Sequence, residues 1–451
     1  MTIEKISKAS TGMIILAIVL FLLLYVLGAV HQITQINTDM QVANQSAYMH
    51  YASNLRDSNY TFIGGRNRMP LYPLLQSLIY HPGLPDEAFF FRGKLFNLAL
   101  SICLIAGLAF IFTRFFHWLH AVNLLLIVSF EVFIFRAGYI QVELLFYFLN
   151  FLLFLLMCAN LVAPNIRLAA LTGFTAGLAH LTKASILPGL VAFLVVSGIS
   201  LVFRLFRDRK YLNKSSMREW WSKLSAIMLV GAVFLVTIFP YIQTSKRVFN
   251  RYFYNVNSTF YIWYDSWREV RRGTRAHGDR IGWPQMPAED IPSMRKYFRE
   301  HTYEQVFRRV IDGGRDVVNK TIHSFGYAKF IVGYTGLLLA AGLFNLREVR
   351  SLAIQNKSLL AFLFLYFAGY FLLYSWYAPI SSSVRLSLAQ FLPFVFSLCY
   401  GIQILLGERR ILLRGRSINT LVLINLVVLP LVLVDIYFVL TSRILTLFGG
   451  S

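Results

Sequence analysis

The sequence predicts an all-α integral membrane protein, a polytopic helical bundle of about eleven transmembrane helices that forms one domain over residues 1–451. The first observation behind this prediction is composition: 57% of the residues are hydrophobic, and the mean hydropathy is +0.58. An ordinary soluble domain is only about 45–50% apolar. The second is that several apolar runs reach the ~20 residues that a helix needs to cross hydrocarbon. An ordinary soluble domain is therefore excluded.

The first apolar run covers residues 11–30 and is too long for a signal peptide, with no small-residue cleavage site after it. We therefore expect it to be a retained span. Ten further spans are predicted at residues 94–115, 121–135, 142–162, 168–181, 186–205, 224–241, 330–346, 358–376, 386–406 and 418–441.

Two long loops interrupt the spans, at residues 31–93 and 242–327, and we expect both to carry short interfacial helices. In the first loop, residues 69–80 are apolar enough for such a helix, which would be entered through Pro70 and Pro73.

Lysine and arginine in the short loops predict the orientation, because short cytoplasmic loops are enriched in these residues. If the spans alternate, the basic residues of the short loops and the N-terminus fall on one side, which is then cytoplasmic. They are Lys5, Lys8, Arg204, Arg207, Arg209, Lys210, Lys214, Arg218, Arg347, Arg350, Lys357, Arg409, Arg410, Arg414 and Arg416. Both long loops are then external. We expect a bacterial cytoplasmic (inner) membrane, with an active site on the external, periplasmic face.

The loop at residues 242–327 carries fifteen Lys and Arg against nine Asp and Glu, and it is rich in aromatic residues such as Tyr254, Tyr261 and Trp263. One interpretation, which we favour, is that the aromatics are interface anchors. The other is contact with an anionic lipid or acceptor. The net charge of +22 does not indicate nucleic acid binding, because flanking of membrane spans explains the basic residues.

Asp39 is the acidic residue that most closely follows the first span. By itself, a loop aspartate is most often a solvated charge or a helix N-cap. Transfer of a sugar from a lipid phosphate, however, requires a positioned carboxylate to deprotonate the attacking acceptor. The departing phosphate gains negative charge, which fixed cations stabilise. Arg66, Arg68, Lys183 and Arg385 are cations of the predicted external face.

Five segments together resemble the GT-C glycosyltransferases, in particular the branch of the protein O-mannosyltransferases and the lipid A aminoarabinose transferase. Asp39 occupies the place of an aspartate in that branch's first external loop. Residues 68–73 (RMPLYP) resemble its R-x-P-L-Y-P segment, and residues 173–183 (GFTAGLAHLTK) are similar to its G-x-x-x-G-L-A-x-L-T-K segment. Glu143 resembles its acidic residue at the start of the fourth span, although Gln141 also fits that position. Arg385 and Pro393 are similar to its R-Y-x-x-P region, with Leu386 in place of the tyrosine.

The resemblance implies an inverting glycosyltransferase that uses a polyprenyl-phosphate sugar donor and a polysaccharide, lipid or protein acceptor. It implies Asp39 and Glu143 as catalytic residues, and the four external cations as ligands of the donor phosphate. We expect Tyr48 and Tyr72 to contact the acceptor or the sugar. No metal site is predicted, although a divalent cation bridging Asp39 and Glu143 is compatible with the resemblance.

Other interpretations stay open for these residues. Lys183 could extend its amine to the interface, Arg385 could anchor its span, and Arg136 with Glu143 could form a structural ion pair. At the level of function, the alternatives are a flippase or transporter for lipid-linked sugars, a surface polysaccharide polymerase or ligase, and a non-catalytic relative. A transporter is expected to show two internal repeats with matching Gly or Pro breaks, and the sequence shows none.

Overall fold

The computed structural model describes residues 8–207, 214–323, 327–381, 384–413 and 416–445. Within these ranges the chain forms nineteen α-helices and one short β-hairpin. The first nine helices are α1 (Lys8–His31), α2 (Gln45–Asp57), α3 (Leu71–Ser77), α4 (Asp86–Phe115), α5 (Trp118–Val128), α6 (Ile134–Ala137), α7 (Glu143–Val162), α8 (Ile166–Thr182) and α9 (Leu187–Arg207).

The second half of the chain continues the same pattern. It contains α10 (Lys214–Phe249), α11 (Val256–Thr259), α12 (Trp267–Arg272), α13 (Met294–Glu300), α14 (Tyr303–His323), α15 (Ala328–Leu343), α16 (Leu346–Gln355), α17 (Lys357–Tyr377), α18 (Val384–Leu406) and α19 (Thr420–Phe438). Strands β1 (Arg410–Leu413) and β2 (Arg416–Asn419) pair antiparallel, with Arg410 opposite Asn419.

Nine helical segments of the described ranges are long and apolar enough to cross a membrane, or ten if α14 and α15 count as one broken span. The prediction of a polytopic all-α membrane protein is therefore confirmed. A helix forms at each of the eleven predicted positions, but α8 has 17 residues and α15 has 16, which is short for hydrocarbon about 30 Å thick at 1.5 Å per residue. The count of eleven and the sidedness stay predictions.

Several helices extend beyond the spans that hydropathy predicts. Helix α4 begins at Asp86 rather than at residue 94, and α10 continues through residues 242–249, which the sequence assigned to the second loop. Asp86 and Glu87 lie in the first turn of α4, where carboxylates interact favourably with the helix dipole. Hydropathy marks only the apolar part of a helix, whereas backbone hydrogen bonding continues through polar residues. The long loops are therefore shorter than predicted.

The described structure divides into two compact units. Unit 1 contains residues 1–49, 83–144 and 409–451, and therefore α1, α4–α6, the β-hairpin and α19. Inside it, buried polar pairs join the helices. The Tyr25 hydroxyl of α1 donates to the Ser101 hydroxyl of α4 over 3.1 Å, and the Asn123 amide of α5 donates to Asn425 of α19 over 3.0 Å.

Unit 2 contains residues 50–82 and 145–408. Two of its helices, α8 and α10, pack closely at glycines. A Cβ at Gly173 of α8 would lie 2.5 Å from the Val230 carbonyl oxygen of α10. A Cβ at Gly177 would lie 2.4 Å from the Thr237 side chain of the same helix. Small residues four apart let two helix backbones approach each other in this way. The glycines of the GFTAGLAHLTK segment therefore have a structural function, the packing of α8 against α10.

Residues 249–283 form a small hydrophobic core within unit 2, around Phe249, Tyr254, Phe260 and Tyr261. Tyr254 and Tyr261 are 0% and 1% exposed, whereas the neighbouring Tyr252 is 59% exposed. The interpretation of the loop aromatics as interface anchors is therefore wrong for Tyr254 and Tyr261. The Tyr254 ring packs against Phe249 and Phe260, and the Tyr261 ring packs against Trp267, because this segment folds on itself.

Candidate functional site

Asp39 lies in a short loop that follows α1 directly. A π-helical turn, Gln32–Ile36, continues α1, and the loop then leads into α2. The Asp39 side chain is exposed, and its Oδ1 accepts a hydrogen bond from the Gln41 backbone N–H over 2.8 Å. This local turn fixes the direction of the carboxylate.

Two buried amide side chains, Asn37 and Gln45, hold the Asp39 loop in place through hydrogen bonds. Asn37 Nδ2 donates to Gln45 Oε1 over 2.8 Å, and Gln45 Nε2 donates to Asn37 Oδ1 over 2.7 Å. Asn37 also donates to the Gly138 carbonyl over 2.7 Å, and Gln45 accepts from the Ile140 N–H over 2.9 Å. Because both side chains are buried, these hydrogen bonds fasten the Asp39 loop to the turn at residues 138–141.

That turn includes the region in which the sequence placed a second catalytic position. Gln141 donates through Nε2 to the Ala43 carbonyl over 2.9 Å, and its Oε1 accepts from Arg136 over 3.3 Å. Glu143 begins α7 and is 3% exposed. Gln141 therefore contacts the loop that follows Asp39. The catalytic role of Glu143 stays a prediction.

Lys94 also supports the loop. In the sequence it is only the first residue of a predicted span, and this contact was not predicted. It lies two turns into α4, is 4% exposed, and donates through Nζ to the carbonyls of Ile33 (2.7 Å) and Asn37 (2.8 Å). The ring of Phe90 lies 4.1 Å from the amine. An ionisable group inside an apolar span is costly and usually functional, so the single lysine in this run was a signal that could have identified it.

Arg66, predicted to bind the donor phosphate, is buried in unit 2 at 3% exposed. Its guanidinium donates to the Thr244 hydroxyl over 2.5 Å and to the Tyr241 carbonyl over 3.4 Å, and it lies 4.1 Å from the centre of the Tyr241 ring. These acceptors are neutral, and Nε has no hydrogen-bond partner among the described residues. Burial lowers the pKa of Arg66, and the Tyr241 and Tyr51 hydroxyls oppose that shift.

The backbone around Arg66 joins the two long loops. Arg66 has φ = 52°, a left-handed conformation that is rare for a residue with a side chain. Its carbonyl accepts from the Val256 N–H over 3.4 Å, and the Asn67 carbonyl accepts from Asn257 over 3.4 Å. A Cβ on Gly65 would lie 2.8 Å from the Arg280 carbonyl, so glycine is required for this approach. The first and second loops therefore contact each other within unit 2.

The remaining predicted residues have varied environments. Arg68 is half-buried, and Lys183 follows the last residue of α8, with its amine 5.3 Å from the Phe146 ring centre. Tyr48 is half-buried on α2 in unit 1, whereas Tyr72 is 0% exposed and accepts from Gln76 over 2.9 Å. Direct contact of Tyr72 with an acceptor would first require the side chain to be uncovered. The side chain of Arg385 lies outside the described residues.

The predicted site residues thus fall into two sets. Asp39, Tyr48 and Glu143 belong to unit 1, and Arg66, Arg68, Tyr72 and Lys183 belong to unit 2. Within unit 1, the structure brings together the Asp39 loop, the turn at residues 138–141 and Lys94. Within unit 2, it places Arg66 and Arg68 on the segment that contacts the second loop. In the part of the chain that the structure describes, no group of three or more His, Cys, Asp or Glu side chains is arranged to hold a metal.

Comparison of the chain with protein-family models, with characterised proteins and with solved structures finds no match.

Proposed function

We propose that this protein is a membrane glycosyltransferase of the GT-C type, which transfers one sugar from a polyprenyl-phosphate donor to an envelope acceptor with inversion. One observation carries the proposal: an exposed carboxylate, Asp39, stands directly after a hydrophobic span on a loop that buried hydrogen bonds hold in place. General-base catalysis needs such a group, because the base must be accessible to the acceptor and fixed in direction.

In the proposed reaction, the acceptor hydroxyl transfers its proton to the Asp39 carboxylate as its oxygen forms a bond to C1 of the donor sugar. The bond between C1 and the phosphate oxygen breaks, and its electron pair leaves with the polyprenyl phosphate. Attack opposite to the leaving group inverts C1. Gln141 and Lys94 do not react in this scheme; they hold the loop through the Ala43, Ile33 and Asn37 carbonyls.

The leaving phosphate gains charge, and the external cations that the resemblance implies are the groups proposed to stabilise it. Arg66 supports this assignment because, among the described residues, its buried guanidinium donates to neutral acceptors, the Tyr241 carbonyl and the Thr244 hydroxyl. A buried cation without an anionic partner is unfavourable, and a phosphate would compensate it. Arg68 and Lys183 are half-buried and are proposed as further ligands. We expect the reaction on the external face of the membrane.

The test uses purified full-length protein with radiolabelled polyprenyl-phosphate sugars, and it follows the release of polyprenyl phosphate and the label in the acceptor. Asp39→Asn should reduce transfer by a factor of 10² to 10⁴, roughly the contribution of a general base. The matched control is Asp57→Asn, an exposed carboxylate at the end of α2, which should retain transfer. Full activity of the Asp39 variant would remove this residue from the mechanism.

Arg68→Ala and Lys183→Ala should raise the apparent KM for the donor more than they lower kcat, because ground-state binding of the phosphate is lost. An unchanged donor KM in both variants would refute the phosphate role. Movement of an intact labelled lipid across the membrane without sugar transfer would instead favour a flippase.

A further inference from the structure

Unit 2 contains an open cleft of about 610 Å³ that the proposed reaction does not use. Helix α14 forms one wall, Asp265 and the end of α13 form a second, and Ala378 with Pro379 closes the base. This volume lies within the ~300–1,000 Å³ that is usual for small-molecule sites.

Arg309 of α14 connects the elements that line the cleft, through contacts with Asp265, the Trp376 carbonyl and the Tyr264 carbonyl. Arg309 NH1 lies 2.7 Å from Asp265 Oδ1, Nε donates to the Trp376 carbonyl over 3.0 Å, and NH2 donates to the Tyr264 carbonyl over 2.8 Å. The guanidinium also lies 4.5 Å from the Trp376 ring centre. These contacts order the side of the cleft that Asp265 forms, so little conformational entropy would be lost there on binding.

Asp265 and His301 form a polar corner at the rim. Asp265 Oδ2 lies 2.7 Å from His301 Nε2, and its Oδ1 accepts from the Tyr297 hydroxyl over 3.0 Å. His301 Nδ1 lies 2.9 Å from the Tyr297 carbonyl, and the two rings stack at 3.9 Å. Every polar atom of this corner is therefore held in direction by a neighbour.

Along the opposite wall, polar side chains recur with helical spacing on one face of α14: Gln305, Arg308, Asp312, Asp316 and Lys320. Along this face an amide is followed by a cation, two successive carboxylates and a second cation, so donors and acceptors are both present. Arg308 and Lys320 are paired with Glu304 (2.5 Å) and Asp316 (2.7 Å). The lining has three carboxylates and three permanent cations, so it offers hydrogen bonds in both directions without a strong net field.

This lining favours a neutral ligand that is rich in hydroxyl groups. A hydroxyl both donates and accepts, so it suits a wall that carries donors and acceptors in equal number. A phosphorylated or strongly cationic ligand would instead call for a surplus of one charge. Ala378 and Pro379 add a small apolar surface that suits the C–H face of a sugar ring.

We propose that this cleft binds a neutral glycan of several sugar residues. That the bound glycan is the acceptor of the transfer rests on the proposed function, whereas binding itself does not.

The test is binding of full-length protein in nanodiscs to an array of neutral hexose oligosaccharides of three to six residues, alongside uronic-acid oligosaccharides of the same lengths. Wild type should bind a neutral oligosaccharide, and the double variant Arg308→Ala/Asp312→Ala should bind it at least tenfold more weakly. These side chains are 72% and 70% exposed, so the fold should tolerate their removal. Asn319→Ala, on an exposed residue of α14 outside the cleft, should bind like wild type.

The outcomes separate the two proposals. Binding of neutral glycans that the double variant does not weaken would overturn the cleft, as would binding of uronic-acid glycans alone or of no oligosaccharide. Transfer is measured on the same wild-type preparation. If wild type binds the glycan and shows no transfer, the cleft stands and the proposed function fails. If transfer depends on Asp39 and no glycan binds, the reverse holds.

Discussion

Asn37 and Gln45 hydrogen-bond to each other through both amide groups, at 2.8 Å and 2.7 Å, and enclose the loop that carries Asp39. The two side chains are 2% and 0% exposed. A reciprocal amide pair needs both carbonyl oxygens and both NH₂ groups in one orientation, so it fixes two stretches of backbone relative to each other. Here these stretches are the end of the first span and the start of α2, with Asp39 between them.

The first prediction concerns this amide pair. Gln45→Leu keeps a similar volume but leaves Asn37 Oδ1 and the Ile140 N–H without their partner, so it should lower the free energy of unfolding by about 1–3 kcal/mol. Gln41→Ala, on an exposed side chain of the same loop, should change it by less than about 0.5 kcal/mol. Thermal unfolding in detergent measures both. Equal melting temperatures for the two variants would show that the pair does not stabilise the loop.

The second prediction concerns Lys94. Lys94→Met removes the amine that donates to the Ile33 and Asn37 carbonyls. Transfer and melting temperature should therefore both fall. Lys94→Arg should restore part of each, because it keeps the charge and the donors. The control is Arg114→Met, an exposed cation in the last turn of the same helix. Wild-type transfer and melting in Lys94→Met would exclude Lys94 as a support of the loop.

The third prediction tests the packing of α14 against α17, which forms part of the cleft. A Cβ at Gly313 would lie 1.8 Å from the Ser375 carbonyl oxygen, so Gly313→Ala should destabilise the protein by about 1–3 kcal/mol and weaken glycan binding. Gly336→Ala in α15 meets no atom within 4 Å and should be neutral or stabilising by up to about 1 kcal/mol. A Gly313 variant that melts like the Gly336 variant would contradict the close approach.

The fourth prediction concerns pH and Asp279, which is 0% exposed in the core of residues 249–283. Burial raises the pKa of the Asp279 carboxyl above its ordinary value of 3.8, although Thr274 and Tyr261 oppose this. Below 3.8 both the folded and the unfolded states hold the proton. As the pH rises from there through the raised pKa, the unfolded state releases its proton first, and the contribution of this group to stability is lost.

Asp279→Asn removes this titration. Its melting temperature relative to wild type should therefore increase between pH 4 and pH 7, and thermal unfolding at pH 4, 5.5 and 7 measures the difference. Asp290→Asn, an exposed carboxylate of the same loop, serves as the control. A constant difference between Asp279→Asn and wild type across this range would show that Asp279 does not titrate with folding.

Composition and apolar periodicity determined the class of this protein, because a chain with this many long apolar runs can satisfy its backbone in hydrocarbon only as helices. The sequence also predicts the position of Asp39 after the first span, because this depends only on neighbouring residues. The ends of the helices were predicted less well, because α4 and α10 continue into polar residues that hydropathy does not mark.

Only the tertiary structure decided which side chains support Asp39 and which are buried. Lys94 and Gln141 contact the loop from segments far apart in sequence, and no local pattern encodes such contacts. The burial of Arg66 and Tyr72, like the role of Gly173 and Gly177 in packing α8 on α10, depends on what another helix covers. Sequence periodicity specifies which face of a helix is apolar, whereas the partner of that face is chosen by the packing of the whole unit.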